Sequence, residues 1–232
     1  MTQATARTLR GVLFDLDGTL LDTAPDLAAA LNRVRAAYAL PPLPYAEIRP
    51  WVSHGSFALT RLGFSFAEDS DAFETARLAL LDAYHAHVAD DTRLFPGMDA
   101  LLDDIEARSL RWGIVTNKPG WLTTPLLEKL GLGWQPSCVV SGDTLPERKP
   151  HPAPLLHAAR ALACDPVDCV YIGDAERDVS AGRQAGMRTL VATYGYIGPG
   201  EDPAGWQASE LVDSPADILA WLARHLDAHP PA

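Results

Sequence analysis

The chain has 232 residues, 47% of them hydrophobic and 21% charged, enough for one substantial core and a smaller satellite unit. A formal net charge of -11 without clustered Lys and Arg excludes a nucleic-acid or anionic-membrane surface, because counterion-releasing phosphate contacts need grouped cations. An acidic chain still binds a small anion where a metal ion and one or two cations reverse the local field.

Residues 2–10 are polar, and no apolar run is long enough to span a bilayer, so the chain is expected in the cytoplasm, as a monomer or homodimer. Cys138, Cys164 and Cys169 lack metal-ligand company and the seven histidines form no His-Glu-x-x-His pattern, which leaves zinc and redox chemistry without a basis.

The first apolar run, Val12-Leu13-Phe14, closes on Asp15. Three later runs share its design: Trp112-Gly113-Ile114-Val115 closes on Thr116, Cys138-Val139-Val140 on Ser141, and Val170-Tyr171-Ile172-Gly173 on Asp174. Each is expected to be a buried strand ending on a polar residue. Helical spacing over 98–107, 122–130, 154–163 and 179–185 lies between or after them. The alternation predicts an α/β fold, a Rossmann-like doubly wound parallel sheet. Strand ends of such a sheet share one edge, so Asp15, Thr116 and Asp174 are expected to meet.

The alternation fails between residues 21 and 94, where three helices are predicted over 25–38, 45–62 and 66–88, with Pro41, Pro42 and Pro44 in one connecting loop. The expected organisation is an α/β core of 1–22 and 91–232 carrying an inserted α-helical cap of 23–90, hinged near 22–24 and 90–95. Past Thr193 the chain is loop-like to 205; an edge strand over 210–213, a closing helix over 215–226 and a frayed tail follow.

Asp15 and Asp17, two carboxylates one residue apart at a strand end and followed by Gly18-Thr19, aim at one point. A carboxylate attacks phosphorus and splits one difficult hydrolysis into two easier transfers; Asp15 is the candidate nucleophile. Asp17 is the candidate general acid and base, with crowding by like charges expected to keep it protonated at rest. Thr116 offers a hydroxyl and Asn117 an amide to a phosphoryl oxygen. Lys149, fixed in a loop by Pro150, is expected to neutralise phosphoryl charge and pair with Asp15. Asp174 supplies a hard oxygen for Mg2+. Asp178, four residues on, is placed either to orient Lys149 or a metal-bound water or to serve as a helix N-terminal acid.

Asp15-Leu16-Asp17-Gly18-Thr19, then Thr116, Lys149 and Gly173-Asp174 through Asp178, resemble the four motifs of the haloacid dehalogenase superfamily of phosphotransferases, in order and over essentially the whole chain. The resemblance implies an aspartyl-phosphate intermediate and Mg2+ held by Asp15, the backbone carbonyl of Asp17, and Asp174. It also implies a helical cap after the first motif and, because Asp stands at 17, a phosphatase or sugar phosphomutase. At Ala175-Glu176-Arg177 the chain departs from many relatives, in which another acid directly follows the metal-binding Asp.

Substrate choice is expected to come from the cap. Trp51-Val52-Ser53-His54-Gly55-Ser56 is a break between helical stretches, either dipping into the site through His54, Gly55 and Ser56 or simply kinking a helix. Leu94-Phe95-Pro96-Gly97-Met98, Trp112 through Pro119 and Tyr194-Gly195-Tyr196-Ile197 look like the phosphoglycolate phosphatase-like branch that also includes N-acetylmuramic acid 6-phosphate phosphatases. The resemblance implies a small phosphorylated metabolite as substrate, 2-phosphoglycolate first and the amino-sugar phosphate second. A mutase, or a phosphate-binding module without turnover, are more remote readings.

Overall fold

The computed structural model describes residues 9–226; the polar stretch ahead of Leu9 and the tail after Leu226 lie outside the described residues. β1 (Gly11–Phe14) sits in the middle of a six-stranded sheet of order β5-β4-β1-β6-β7-β8. Its neighbours are β4 (Arg111–Val115) and β6 (Cys169–Gly173), followed outward by β5 (Cys138–Val140) on one side and β7 (Arg188–Ala192) and β8 (Glu210–Val212) on the other. Every pairing in this sheet is parallel, and β1 is in register with Arg111 to Ile114 and with Cys169 to Ile172.

Strand alternation divides the core between the two faces. Val12, Phe14, Ile114 and Ile172 pack with α5 (Met98–Ala107) and α9 (Pro215–Leu226), whereas Leu13, Val115 and Tyr171 pack with α7 (Ala153–Ala161) and α8 (Glu176–Gln184). The doubly wound core expected from the sequence is therefore present. Strand order runs from β1 through β4 to β5 in one direction and through β6, β7 and β8 in the other, which makes the β1 carboxyl end a topological switch point. α6 (Gly120–Leu130) follows β4. In this sheet β7 is the strand the sequence reading missed: Arg188 and a buried Thr189 open it and leave an apolar run of only Leu190, Val191 and Ala192.

The helices between residues 21 and 94 stand on a two-stranded antiparallel ribbon, β2 (Leu21–Asp22) with β3 (Arg93–Leu94). α1 (Ala24–Ala37) starts with Pro25 in its first turn, where the missing N–H costs nothing. The buried carboxylate of Asp26 on α1 accepts from Asp91 N and Thr92 N, both at 2.9 Å, and from Thr92 Oγ1 at 2.6 Å, tying the outgoing and returning chains together. The helix expected over 45–62 is divided into α2 (Tyr45–Ile48), a 3-10 turn (Arg49–His54) and α3 (Gly55–Gly63). Pro50 removes a helical donor and Gly55 takes φ 77°, which an L side chain resists. α4 (Asp71–Ala86) begins later than expected, because Ser70 Oγ caps it by accepting from Phe73 N at 3.2 Å. No described helix is long and apolar enough to cross a membrane.

Candidate active site

At the switch point the chain leaves β1 with Asp15 N bonded to Ile172 O at 2.8 Å, and the Asp15 carboxylate is buried there. Oδ1 accepts from Leu16 N at 2.8 Å and faces Lys149 Nζ at 2.9 Å. The turn that follows closes through Leu20 N and Leu21 N on Leu16 O, at 3.1 and 2.9 Å. Gly18 sits in it at φ 81°, and a Cβ there would lie 2.0 Å from Asp174 Oδ2. Only glycine lets the turn pass under the neighbouring carboxylate.

Lys149 is buried and fully engaged. Nζ contacts Asp15 Oδ1 and Asp178 Oδ1 at 2.9 and 2.8 Å, and donates to Val115 O at 2.9 Å and Tyr171 Oη at 2.6 Å. The expected pairing with Asp15 is thus made. Asp178 makes contacts of two of the expected kinds: Oδ1 lies 2.8 Å from Lys149 Nζ, and Oδ2 accepts from Ala175 N at 3.1 Å at the start of α8. Asn117 has a further task. Its Nδ2 donates to Lys149 O at 2.9 Å and its Oδ1 accepts from Lys149 N at 3.0 Å, so the amide clasps the Lys149 loop, beyond the role expected of it, and has one N–H left, in a residue that lines the cavity. Thr116 is buried at the end of β4; its Oγ1 accepts from Lys118 N at 3.1 Å and keeps a hydroxyl proton to donate.

Oxygens of Asp15, Asp174 and Asp178 lie within 4.8 Å of one another. Burial, with the charges of Asp15 and Asp178, pushes the Asp174 carboxyl up to about 7, while Ser53 and Arg177 oppose the rise. Burial likewise lifts Asp15 to about 6, against the pull of Lys149. Burial acts on Asp178 too, but Lys149 and Arg177 hold it below the usual carboxylate range. Asp174 Oδ2 accepts from Ser53 Oγ at 2.6 Å and Tyr196 N at 2.8 Å, whereas Oδ1 is buried without a partner among the described residues. A buried, unpaired carboxylate oxygen beside a second carboxylate fits a hard divalent cation.

The Asp17 side chain lines the same cavity as Asp15 but is not a member of this cluster. Oδ1 accepts from Thr23 Oγ1 at 2.5 Å and from Lys118 Nζ at 2.9 Å. The like-charge crowding expected at Asp17 falls on Asp15 and Asp174 instead, and the charge nearest Asp17 is a cation. Lys118 lies over the Tyr84 ring at 4.4 Å, and although burial opposes its charge, Asp17 and Tyr84 hold it above the usual lysine range.

A cavity of ≈ 640 Å³ opens above the strand ends and includes Asp15, Asp17 and Thr116 in its lining. His54, Gly55 and Ser56 line it as well, so the break at Gly55 both interrupts the helix and reaches the site. His54 Nε2 stands 3.6 Å from Glu201 Oε1, and burial lowers its basicity against the pull of Glu201. The wall supplied by the helices is apolar through Leu80, Leu81, Phe57 and Tyr84. Lys118, Arg177 and Ser53 were not singled out from sequence; cations beside Asn117 and Asp178 were the available signal, and Ser53 gave none.

The model of the haloacid dehalogenase-like hydrolase family matches residues 12–192. A phosphoglycolate phosphatase of Xanthomonas campestris pv. campestris is 44% identical over 217 residues, 91% of this chain and 97% of its own length. An N-acetylmuramic acid 6-phosphate phosphatase of Pseudomonas aeruginosa is 42% identical over 218 residues, 94% of this chain and 96% of its own. Among solved structures, a predicted phosphoglycolate phosphatase from Haemophilus somnus superposes with a TM-score of 0.80 at 28% identity, covering 94% of this chain and 99% of that one. The class that sheet and acid cluster define is thus that of a phosphoryl-handling hydrolase. The chain belongs to the haloacid dehalogenase-like hydrolases, and the phosphatase class expected from its motifs stands.

Proposed function

We propose that the protein hydrolyses 2-phosphoglycolate, a small phosphorylated metabolite of the cytoplasm, in two transfers through Asp15. The observation that carries this reading is that Asp15, which lines the cavity, is paired with Lys149 and shares one buried acid cluster with Asp174, whose Oδ1 has no partner among the described residues. Asp15 Oδ1 is held by Lys149 and Leu16 N, so Oδ2 is the attacking oxygen. As it bonds to phosphorus the ester P–O bond breaks, and Asp17 gives its proton to the departing oxygen. Asp17 then takes a proton from water attacking the aspartyl phosphate, and the P–O bond to Asp15 breaks to release orthophosphate. Thr116 and Lys149 stabilise charge on the phosphoryl oxygens.

Asp15, Asp174 and the backbone carbonyl of Asp17 would hold Mg2+, with Asp178 outside them; the bound cation neutralises repulsion between Asp15 and the incoming dianion. Residues 23–90 act in this reading as a cap on the core of 1–22 and 91–232, with His54, Gly55 and Ser56 toward the substrate. A second reading, N-acetylmuramic acid 6-phosphate, is favoured by the ≈ 640 Å³ volume and apolar wall, which suit a larger ester. Steady-state rates with both esters plus Mg2+ decide between them. Asp15→Asn is expected to lower turnover by ~10⁴-fold or more and to abolish labelled phosphoenzyme. Full activity in that variant refutes the covalent route.

A further inference from the structure

Arg177 occupies the second position of α8, in the first turn of a helix whose end favours anions. Glu176 and Asp178 obey that preference and Arg177 does not. Among the described residues no hydrogen bond or ion pair engages its guanidinium. It lines the cavity with Asp15 and His54, and its charge reaches Asp15, Asp174 and Asp178 on one side and His54 on the other. It therefore lines the same cavity as the phosphoryl centre and the turn that carries His54, within electrostatic reach of both.

The other cations near the site are differently employed. Lys149 and Lys118 are paired with Asp15 and Asp17. Arg77 is bonded through Nε and Nη2 to Glu74 at 2.7 and 2.6 Å, and Arg148 is exposed to solvent screening. Among the described cations lining the cavity, Arg177 combines partial burial with a planar fork that makes no hydrogen bond, the geometry that matches a carboxylate. A cation kept at the wrong end of a helix, facing the acid cluster through its charge but with no hydrogen bond or ion pair on its guanidinium among the described residues, has the character of a residue retained for a ligand.

Resting on the hydrolase reading above, we propose that Arg177 is a specificity-determining residue that binds a carboxylate on the substrate, so that the site prefers phosphomonoesters of carboxylic acids to uncharged esters of similar shape. The carboxylate is common to 2-phosphoglycolate and N-acetylmuramic acid 6-phosphate, and two matched pairs separate these sources. 2-Phosphoglycolate is compared with 2-hydroxyethyl phosphate, and N-acetylmuramic acid 6-phosphate with N-acetylglucosamine 6-phosphate, which lacks the lactyl carboxylate.

Steady-state kinetics in Mg2+ are measured for wild type, Arg177→Gln and Arg177→Lys, with Arg148→Gln as the exposed-cation control. The wild type is expected to favour the acid member of one pair, which identifies the source. Arg177→Gln should reduce that kcat/KM preference by ~10–100-fold, through KM and not kcat, as loss of a charge-assisted pair requires. Arg177→Lys should recover part of the preference and Arg148→Gln should keep it. Equal losses of kcat on acid and neutral esters in Arg177→Gln would assign Arg177 to the phosphoryl group and overturn the proposal, as would an unchanged preference. A wild type active on both members of each pair without preference overturns the carboxylate subsite and leaves the hydrolase reading intact. A wild type inactive on all four esters removes that reading and the subsite with it.

Discussion

Chelating divalent cations and raising the pH should destabilise this protein, the reverse of ordinary acid denaturation. Burial, only partly offset by Lys149, moves Asp15 from 3.8 to about 6. Burial with the charges of Asp15 and Asp178 moves Asp174 from 3.8 to about 7. A carboxyl whose folded value lies above its unfolded one keeps a proton in the fold that the unfolded chain has released. Its contribution is therefore greatest below about pH 4 and is lost as the pH rises through 6 to 7. At ~1.4 kcal/mol per unit, Asp15 accounts for ~3 kcal/mol and Asp174 for ~4 kcal/mol. The two share one repulsion, so the pair amounts to ~5 kcal/mol. Part of this is already lost below pH 5; between pH 5 and 8 about 1 unit for Asp15 and 2 for Asp174 remain, ~3 kcal/mol after the shared repulsion, a fall in Tm of ~6–12 °C for a chain of this length in the chelated protein. Mg2+ binds the ionised carboxylates and should raise Tm little at pH 5 and strongly at pH 8. Scanning calorimetry at pH 5, 6, 7 and 8 in EDTA and in Mg2+ measures both trends, and Asp174→Asn should flatten most of the slope. A chelated protein whose Tm is constant or rises with pH, or a Mg2+ increment independent of pH, would refute the reasoning.

Lys149→Met leaves Asp15 and Asp178 buried without their shared cation and should cost ~3–5 kcal/mol in urea unfolding at pH 8. Adding Asp178→Asn should return part of the loss, and a double variant no more stable than the single one would contradict the ion-pair account. Gly18→Ala puts a methyl where Asp174 Oδ2 now lies, 2.0 Å from the new carbon, at φ 81°. Mg2+ affinity by titration calorimetry should fall ~10–100-fold, and an unchanged Kd would show that Asp174 shifts freely.

Strand ends were legible in the sequence because each buried run stops abruptly at a polar residue, and in a parallel sheet those stops share an edge. Asp15, Thr116 and Asp174 met for that reason. Lys149 was legible as a cation in a loop and Asp178 as an acid four residues past Asp174. Contacts whose two halves are joined only by loop path were not. The Asn117 amide bonds to the backbone of Lys149, a partner 32 residues away whose position no local pattern encodes. Lys118 reaches Asp17 across 101 residues, so the charge around Asp17 was read with the wrong sign. Within residues 45–62 the composition favours helix throughout, and only Pro50 and the φ 77° of Gly55 divide it.

The two aspartates of the opening motif end up in opposite settings. Asp15 shares a buried acid cluster with one lysine, whereas Asp17 is held by Thr23 and Lys118. The inserted helices reach both. Tyr84 on α4 supports Lys118 and through it Asp17, while Ser53 in the turn before α3 donates to Asp174. Arg49, in the same turn, donates to Tyr194 O and Gly195 O at 2.9 and 3.0 Å, beside the Tyr196 N–H that also bonds Asp174. The helical segment therefore does more than wall the cavity. Its side chains supply one hydrogen bond to a cluster carboxylate and shape the charge environment of Asp17, so a substitution at Ser53 or Tyr84 is expected to act on the chemistry without touching phosphorus.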